Sequence, residues 1–353
     1  MKNGIHKVDT YLSKTEILIG ATSSFRELIL NPEIRGNSFQ EKFTNGLNNV
    51  FEELKDKSDT LATMLINNAN SLDIIYILRG GLNFNIHNLS SLNKTHCEVS
   101  FCSSQRVIED DKIYNSETSY NKWNLHDKSL LVIGDISATG TTFSFIINQA
   151  IQQYKKERKK PIGILLITVG TNFSIEAINN LSKKLEKEFG SDFKGISVLF
   201  LEGIFSLNKG NISYKELNLI DTDFFIKNHP RTIELELERM NHPSSFFERC
   251  VIYDGGSRSF EPNLYLNNLT NYWMKIYELS NSINIDNFLE HRTDIFNQNK
   301  FTQGNIWKTL IISNNNEYSE DEFILKTNST IEKIKDIGLK SLCEQKLNIL
   351  TNN

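Results

Sequence analysis

The chain has 353 residues, 39% hydrophobic and 23% charged, with a net charge of −4 at pH 7. This is an ordinary globular composition, long enough for one large domain with an appendage or for two domains. No run of about 18 apolar residues offers a membrane span, the first residues lack a secretory signal's apolar stretch, and a slightly acidic chain has no basic field to draw it onto nucleic acid. In chain order, residues 1–60 are expected to be a helical N-terminal segment. Phe39, Phe43, Leu47, Val50, Phe51 and Leu54 recur at three and four residues, and Ser38 with Glu41 is a capping-box pattern. Leu61 to Ile66 is expected to continue a second helix.

Residues 61–206 change texture. Five continuously apolar runs read as strands covered on both faces: 73–78, 98–103, 129–136, 161–170 and 195–205. Helical patterns at 142–155 and 174–189 lie between the later ones. Such alternation predicts an α/β core with a central parallel sheet. The polar connection 104–128 is long for a compact domain, and a two-stranded flap is one form it can take. From 207 to 353 a mostly helical extension is expected, with a helix over 231–240 and a strand and glycine turn over 250–262. This region could be a hood, a homodimer surface or a partner-binding domain.

The four cysteines, Cys97, Cys102, Cys250 and Cys343, form no CxxC pair. They signal neither a zinc site nor a disulfide framework, and reduced thiols in a cytoplasmic protein are expected.

The stretch 130–142, LLVIGDISATGTT, carries the most chemistry. A buried strand delivers Asp135 to its carboxyl end, the end where open α/β sheets bind ligands. A Thr-Gly-Thr-Thr turn then starts a helix, whose first N–H groups and positive dipole suit a phosphate. Gly140 lets the backbone approach closely, and Thr139, Thr141 and Thr142 add hydroxyls. Asp135 is placed to accept hydrogen bonds from sugar hydroxyls. Together they describe a cradle for a sugar phosphate.

This stretch resembles the phosphoribosyl-pyrophosphate (PRPP) motif of the type I phosphoribosyltransferases. A second landmark agrees: IIYILRGG, ending at Arg79, Gly80 and Gly81, has the form and place of that family's pyrophosphate loop, about 55 residues upstream. The resemblance covers roughly residues 60–206. It implies a type I phosphoribosyltransferase-like core, with Asp135 on the ribose hydroxyls and Ala138, Thr139, Gly140, Thr141 and Thr142 around the 5-phosphate. It also implies Arg79, Gly80 and Gly81 on pyrophosphate, in a loop where the family often has a cis peptide. The 104–128 connection would be the catalytic loop, offering Ser103, Ser104, Arg106, Lys112 and Tyr114 as pyrophosphate donors. Magnesium is implied, held mainly by PRPP and water, so no protein metal-ligand set is expected.

Two departures stand out. Gly134 occupies the place of the family's first acidic residue, removing one ribose-hydroxyl acceptor. Ala138 stands where 6-oxopurine salvage enzymes carry an aspartate base, which is more like the adenine and orotate members. The expected reaction moves the 5-phosphoribosyl group from PRPP to a nitrogenous acceptor. A PRPP- or nucleotide-binding regulatory or defence protein, and cleavage of a nucleotide's N-glycosidic bond, are the alternatives. Elsewhere, 253–258 reads as a tight turn or a second phosphate loop. His229 and His242 read as loop punctuation beside prolines rather than catalytic groups, and Phe224, Phe225, Phe246 and Phe247 as core packing, with stacking on a flat base the alternative if this region folds over the site.

Overall fold

The computed structural model describes residues 4–9, 12, 14–58, 61, 71–89, 96–109, 112–116, 120–207, 224–225, 230–248, 255–290, 307, 310–311 and 319–352. In chain order the first elements are β1 (Gly4–Val8), β2 (Thr15–Ala21), α1 (Ser23–Leu30) and α2 (Gly36–Lys57). Then come β3 (Leu72–Leu78), β4 (Cys97–Ser103), β5 (Gln105–Glu109), β6 (Lys112–Ser116), β7 (Asn121–Lys122) and β8 (Ser129–Gly134). They are followed by α3 (Thr141–Lys156), β9 (Pro161–Thr171), α4 (Asn172–Phe189) and β10 (Ile196–Leu207). The helical N-terminal segment is thus preceded by two strands. The run TEILIGA, buried along its whole length, has neither helical spacing nor a polar alternate, and that suits a strand covered on both faces. The apolar stripe over 39–54 lies on α2, which starts at Gly36, so Ser38 sits inside the helix. Of the second helix expected at 61–66, only Leu61 falls among the described residues, and it is helical.

The chain divides into two compact units, residues 2–25 with 40–204 and residues 26–39 with 205–353. The first unit is α/β. Its sheet runs in the order β1-β2-β10-β9-β8-β3-β4-β7. β3 lies parallel to both β4 and β8, β8 parallel to β9, and β10 parallel to β2. β1 and β7 are antiparallel additions. β8 and β9 are buried along their whole length and β3 along nearly all of it, Asp73 included, whereas β4 is only partly buried. α3 buries Phe143, Ile146, Ile147, Ala150, Ile151 and Tyr154, one stripe at helical spacing.

The consequential detail is the order β4-β3-β8-β9-β10. The chain leaves β3 towards β4 on one side, then crosses back to place β8 on the other. That reversal makes a topological switch point between β3 and β8, the kind of place where open α/β sheets bind ligands. The 104–128 connection contains a two-stranded antiparallel hairpin, β5 with β6, in the register Gln105↔Ser116 to Glu109↔Lys112.

The second unit is mostly helical, with α5 (Ile233–Arg239), α6 (Gly255–Phe260), α7 (Pro262–Leu279), α8 (Ile285–Glu290), α9 (Glu320–Ile337) and α10 (Leu339–Asn352). Trp273, Ile276, Phe246, Phe247, Phe323 and Leu342 are among its core, so Phe246 and Phe247 are packing residues. The side chains of Phe224 and Phe225, and all of His229, lie outside the described residues. Gly255 to Arg258 are helical, while 250–254, where the expected strand and the start of the turn or phosphate loop fall, lie outside the described residues. Arg258 is fully buried and its guanidinium donates to the carbonyls of Ile34 (2.5 Å), Asn31 (2.8 Å) and Leu28 (3.1 Å), carbonyls at and beyond the end of α1. Lys346, also buried, pairs with Glu33 at 2.8 Å and Glu248 at 3.1 Å. Burial pushes the Glu248 carboxyl up, against the pull of Lys346.

Candidate functional site

The two sequence landmarks meet at the switch point. After β8 the backbone keeps its ladder to β9 for three more residues. Asp135 N–H donates to Ile167 at 3.1 Å, Ser137 N–H to Val169 at 3.0 Å, and Thr171 N–H to Ser137 at 3.0 Å. The Thr171 hydroxyl donates to the Ala138 carbonyl. The chain then turns through Gly140, at φ 75°, into α3. Only glycine suits this point. A Cβ there would stand 2.9 Å from the Ala177 Cβ and 3.1 Å from the Ser174 Cα, besides requiring a left-handed backbone. The Thr139 and Thr141 hydroxyls bond each other at 2.7 Å on the exposed side of the turn. Ala138 to Gly140 thus form a short turn leading into the helix that begins at Thr141.

On the other side of the switch point, β3 ends at a cis Leu78–Arg79 peptide. Gly80 to Phe84 then make a 3-10 turn. A Cβ on Gly80 would lie 3.1 Å from Asp135 Oδ1, and one on Gly81 would lie 2.9 Å from the Gly134 carbonyl. The Arg79-Gly80-Gly81 loop thus lies close against the Asp135 carboxylate. Arg79 is exposed beside it, and Asp135 is half-buried. Ser103 pairs in register with Leu78, so Ser103 and Ser104 leave the sheet at the same end. Ser103 N–H donates to the Tyr120 carbonyl at 2.9 Å. Arg106 lies on β5 opposite Asn115, and Lys112 and Tyr114 on β6. The backbone brings the hairpin out of the ligand end of β4; the side chains of Arg106, Lys112 and Tyr114 lie outside the described residues.

Gly134 has a specific cause that a reading of local sequence misses. A Cβ at 134 would stand 2.5 Å from Phe84 Cγ and 2.6 Å from its Cδ1. Phe84, 2% exposed, stacks edge-on with Phe43 at 4.9 Å, and Phe43 with Phe25 at 5.5 Å. An aromatic row therefore runs from α1 and α2 to the floor of the site. It fills the volume that a carboxylate at 134 would need, and a buried charge against a ring is costly. Fifty residues separate the two partners, so no local pattern announces the swap.

Two further groups near this end are not nucleophiles. Burial pushes the Cys102 thiol up to about 12, with the negative charge of Asp135 adding to the effect. Burial likewise pushes the Tyr76 phenol to about 12. Both stay protonated at neutral pH and act as packing groups.

No family model matches the chain, and no curated protein matches it. Among solved structures, the AQ2163 protein from Aquifex aeolicus is 15% identical, with 51% of this chain and 84% of that one covered at a TM-score of 0.30. A hypoxanthine-guanine phosphoribosyltransferase from Bacillus anthracis is 16% identical, covering 47% and 73% at 0.24. A hypoxanthine phosphoribosyltransferase from Staphylococcus aureus is 10% identical, covering 51% and 83% at 0.26. These likenesses are distant and assign no activity to this chain. Among the described residues no helix is long and apolar enough to cross a membrane, and Cys97, Cys102 and Cys343 are free thiols.

Proposed function

We propose that the first unit is a type I phosphoribosyltransferase-like core that transfers the 5-phosphoribosyl group of PRPP to a nitrogenous base or base-like acceptor. The observation that carries this reading is the close approach of Gly80 to Asp135 across the β3–β8 switch point, where a Cβ on Gly80 would lie 3.1 Å from Asp135 Oδ1. It puts a diphosphate-type loop and a sugar-phosphate-type loop within one ligand's reach. In this reading the 138–142 turn holds the 5-phosphate with backbone amides and threonine hydroxyls. Asp135 accepts from the ribose hydroxyls. Arg79 with the Gly80 and Gly81 amides receives the pyrophosphate oxygens, where a guanidinium is well suited. The acceptor nitrogen attacks the anomeric carbon, the carbon–oxygen bond to pyrophosphate breaks, and both electrons leave with that oxygen. Positioning and leaving-group stabilisation supply the rate. The β5–β6 hairpin is suited to close over the sugar and exclude water, which would otherwise capture the cationic transition state.

Magnesium fits this donor set. Asp135 would contribute one carboxylate beside oxygens of PRPP and water, the mixed coordination magnesium favours. Bound there, it would neutralise the departing pyrophosphate. A second reading, tight PRPP or nucleotide binding without turnover, is favoured by the replacement of a ribose-facing carboxylate by Phe84 packing at Gly134.

Pyrophosphate release from PRPP and magnesium, measured against a panel of purine and pyrimidine bases, tests the proposal. Release that depends on one acceptor supports transfer. Micromolar PRPP binding with no release under any acceptor supports the second reading. Base released from a nucleotide without PRPP contradicts both.

A further inference from the structure

The amino ends of the same strands carry a cluster that the reading above does not use. His96 and Glu98 are two residues apart at the start of β4 and so share a face of the sheet, with Cys97 turned the other way. His96 belongs to the ladder, because its carbonyl accepts from Leu72 N–H at 2.9 Å. His126 comes from the segment between β7 and β8. One donor atom from each of His96, Glu98 and His126 lies within 4.8 Å of the others. His96 Nε2 is 3.6 Å from Glu98 Oε1, and the two imidazole rings stand edge-to-face at 5.3 Å.

What separates this cluster from a chance gathering of surface groups is how firmly His126 is held. Asn124 N–H donates to Ser100 Oγ at 2.9 Å and its side-chain amide to the Val99 carbonyl at 3.1 Å. Lys159 Nζ donates to the Leu125 carbonyl at 2.5 Å. His126 N–H donates to Asp73 Oδ2 at 2.8 Å, and its Nδ1 bonds Asp73 Oδ1 at 3.1 Å. Asp73 is fully buried, and it is fixed in turn by the hydroxyls of Ser129 at 2.5 Å and Tyr154 at 2.6 Å. Where Nδ1 donates to the Asp73 oxygen, Nε2 keeps its lone pair for a metal. A carboxylate behind a ligating imidazole is the outer-sphere arrangement that fixes tautomer and ring orientation in metal sites.

We propose that His96, Glu98 and His126 form a site for a divalent transition metal of the zinc class, with Asp73 as the outer carboxylate that orients His126. Two imidazoles and one carboxylate are a known zinc donor set, with the fourth position left for water or a ligand. Tetrahedral zinc wants its donors roughly 3.4 Å apart. The half-exposed or exposed side chains of His96 and Glu98 can close the remaining distance without moving the sheet. The site lies at the far end of β3 from Asp135. It is separated from the proposed PRPP pocket by the strand's length, on the order of 20 Å for seven residues.

Calorimetric titration of the untagged, chelator-stripped chain with zinc chloride tests this. Expected is a single equivalent of zinc bound, with affinity reduced at least roughly tenfold in His96→Ala and in Glu98→Gln. Both replaced residues are exposed enough to leave the fold intact. Asp135→Asn is expected to bind zinc as the wild type does, which separates this site from any metal carried by PRPP. Zinc binding that survives in the double variant His96→Ala/Glu98→Gln, or a wild-type chain that takes up none, would overturn the assignment.

Discussion

The two ends of one pair of strands make contrasting uses of an aspartate. Asp73, at the start of β3, is fully buried and takes hydrogen bonds from a backbone amide, an imidazole, a serine and a tyrosine. Asp135, just past the end of β8, is half-buried between two short loops rich in backbone amides. Sequence places both beside apolar runs, and neither looks different in composition. The difference lies in what the strand ends receive. At the amino end, the 123–128 segment and α3 close over Asp73 and saturate it. At the carboxyl end the strand order reverses, and the backbone of Gly80 lies close to a half-buried carboxylate. A buried carboxylate must be satisfied by its own protein; one at a switch point can be satisfied by a ligand.

The sharpest way to break this contrast is to exchange the consequences of losing each group. Asp73→Ala strands the hydroxyls of Ser129 and Tyr154 and the His126 amide in the interior. Urea denaturation should show a loss of about 3 kcal/mol. Restoring an acid at 134 is the next largest effect. Gly134→Asp would drive a side chain into the Phe84 ring, and we expect about 2–3 kcal/mol of destabilisation. If Gly134→Asp instead folds normally and tightens PRPP binding, Phe84 does not define the site floor.

Alkaline pH reads the Asp73 network from another side. Burial, reinforced by the Asp73 charge, holds the Tyr154 phenol well above its ordinary value near 10. Above pH 10 the unfolded chain releases this proton while the folded chain keeps it. The contribution is therefore fully present below about pH 10 and declines as the pH rises further. Stability profiles from pH 9 to 11.5 should fall less steeply in Tyr154→Phe. The smallest expected effect is at the phosphate turn. Thr139→Val should leave stability within about 0.5 kcal/mol and weaken PRPP binding by roughly tenfold, about 1.4 kcal/mol, as one hydrogen bond to a charged group is lost.

Much of this architecture could be read from the residues. Continuous apolar runs mark β3, β8, β9 and β10, which are buried along nearly their whole described length and need no polar alternate; β4 is marked by a similar run although most of its residues are only half-buried. The turn through Gly140 and the Arg79-Gly80-Gly81 loop were legible because backbone geometry restricts them to few residue types. What escaped depended on partners distant in sequence. β2 falls within the residues whose pattern predicts a helical segment, since its partner β10 lies some 180 residues away. Gly134 read as a missing acid, and only the Phe84 ring beside it explains the glycine. The His96, Glu98 and His126 cluster carries no local signal, because His126 comes from a different segment held by Asp73.

The central claim is that the turn after β8 and Asp135 together grip a phosphorylated pentose. Calorimetric titration of PRPP with magnesium into the wild type and Asp135→Asn tests it most directly, with urea unfolding of both as the control. The account predicts saturable binding by the wild type, a loss of at least tenfold in the variant, and unchanged stability. Equal affinities in two equally stable proteins would contradict it.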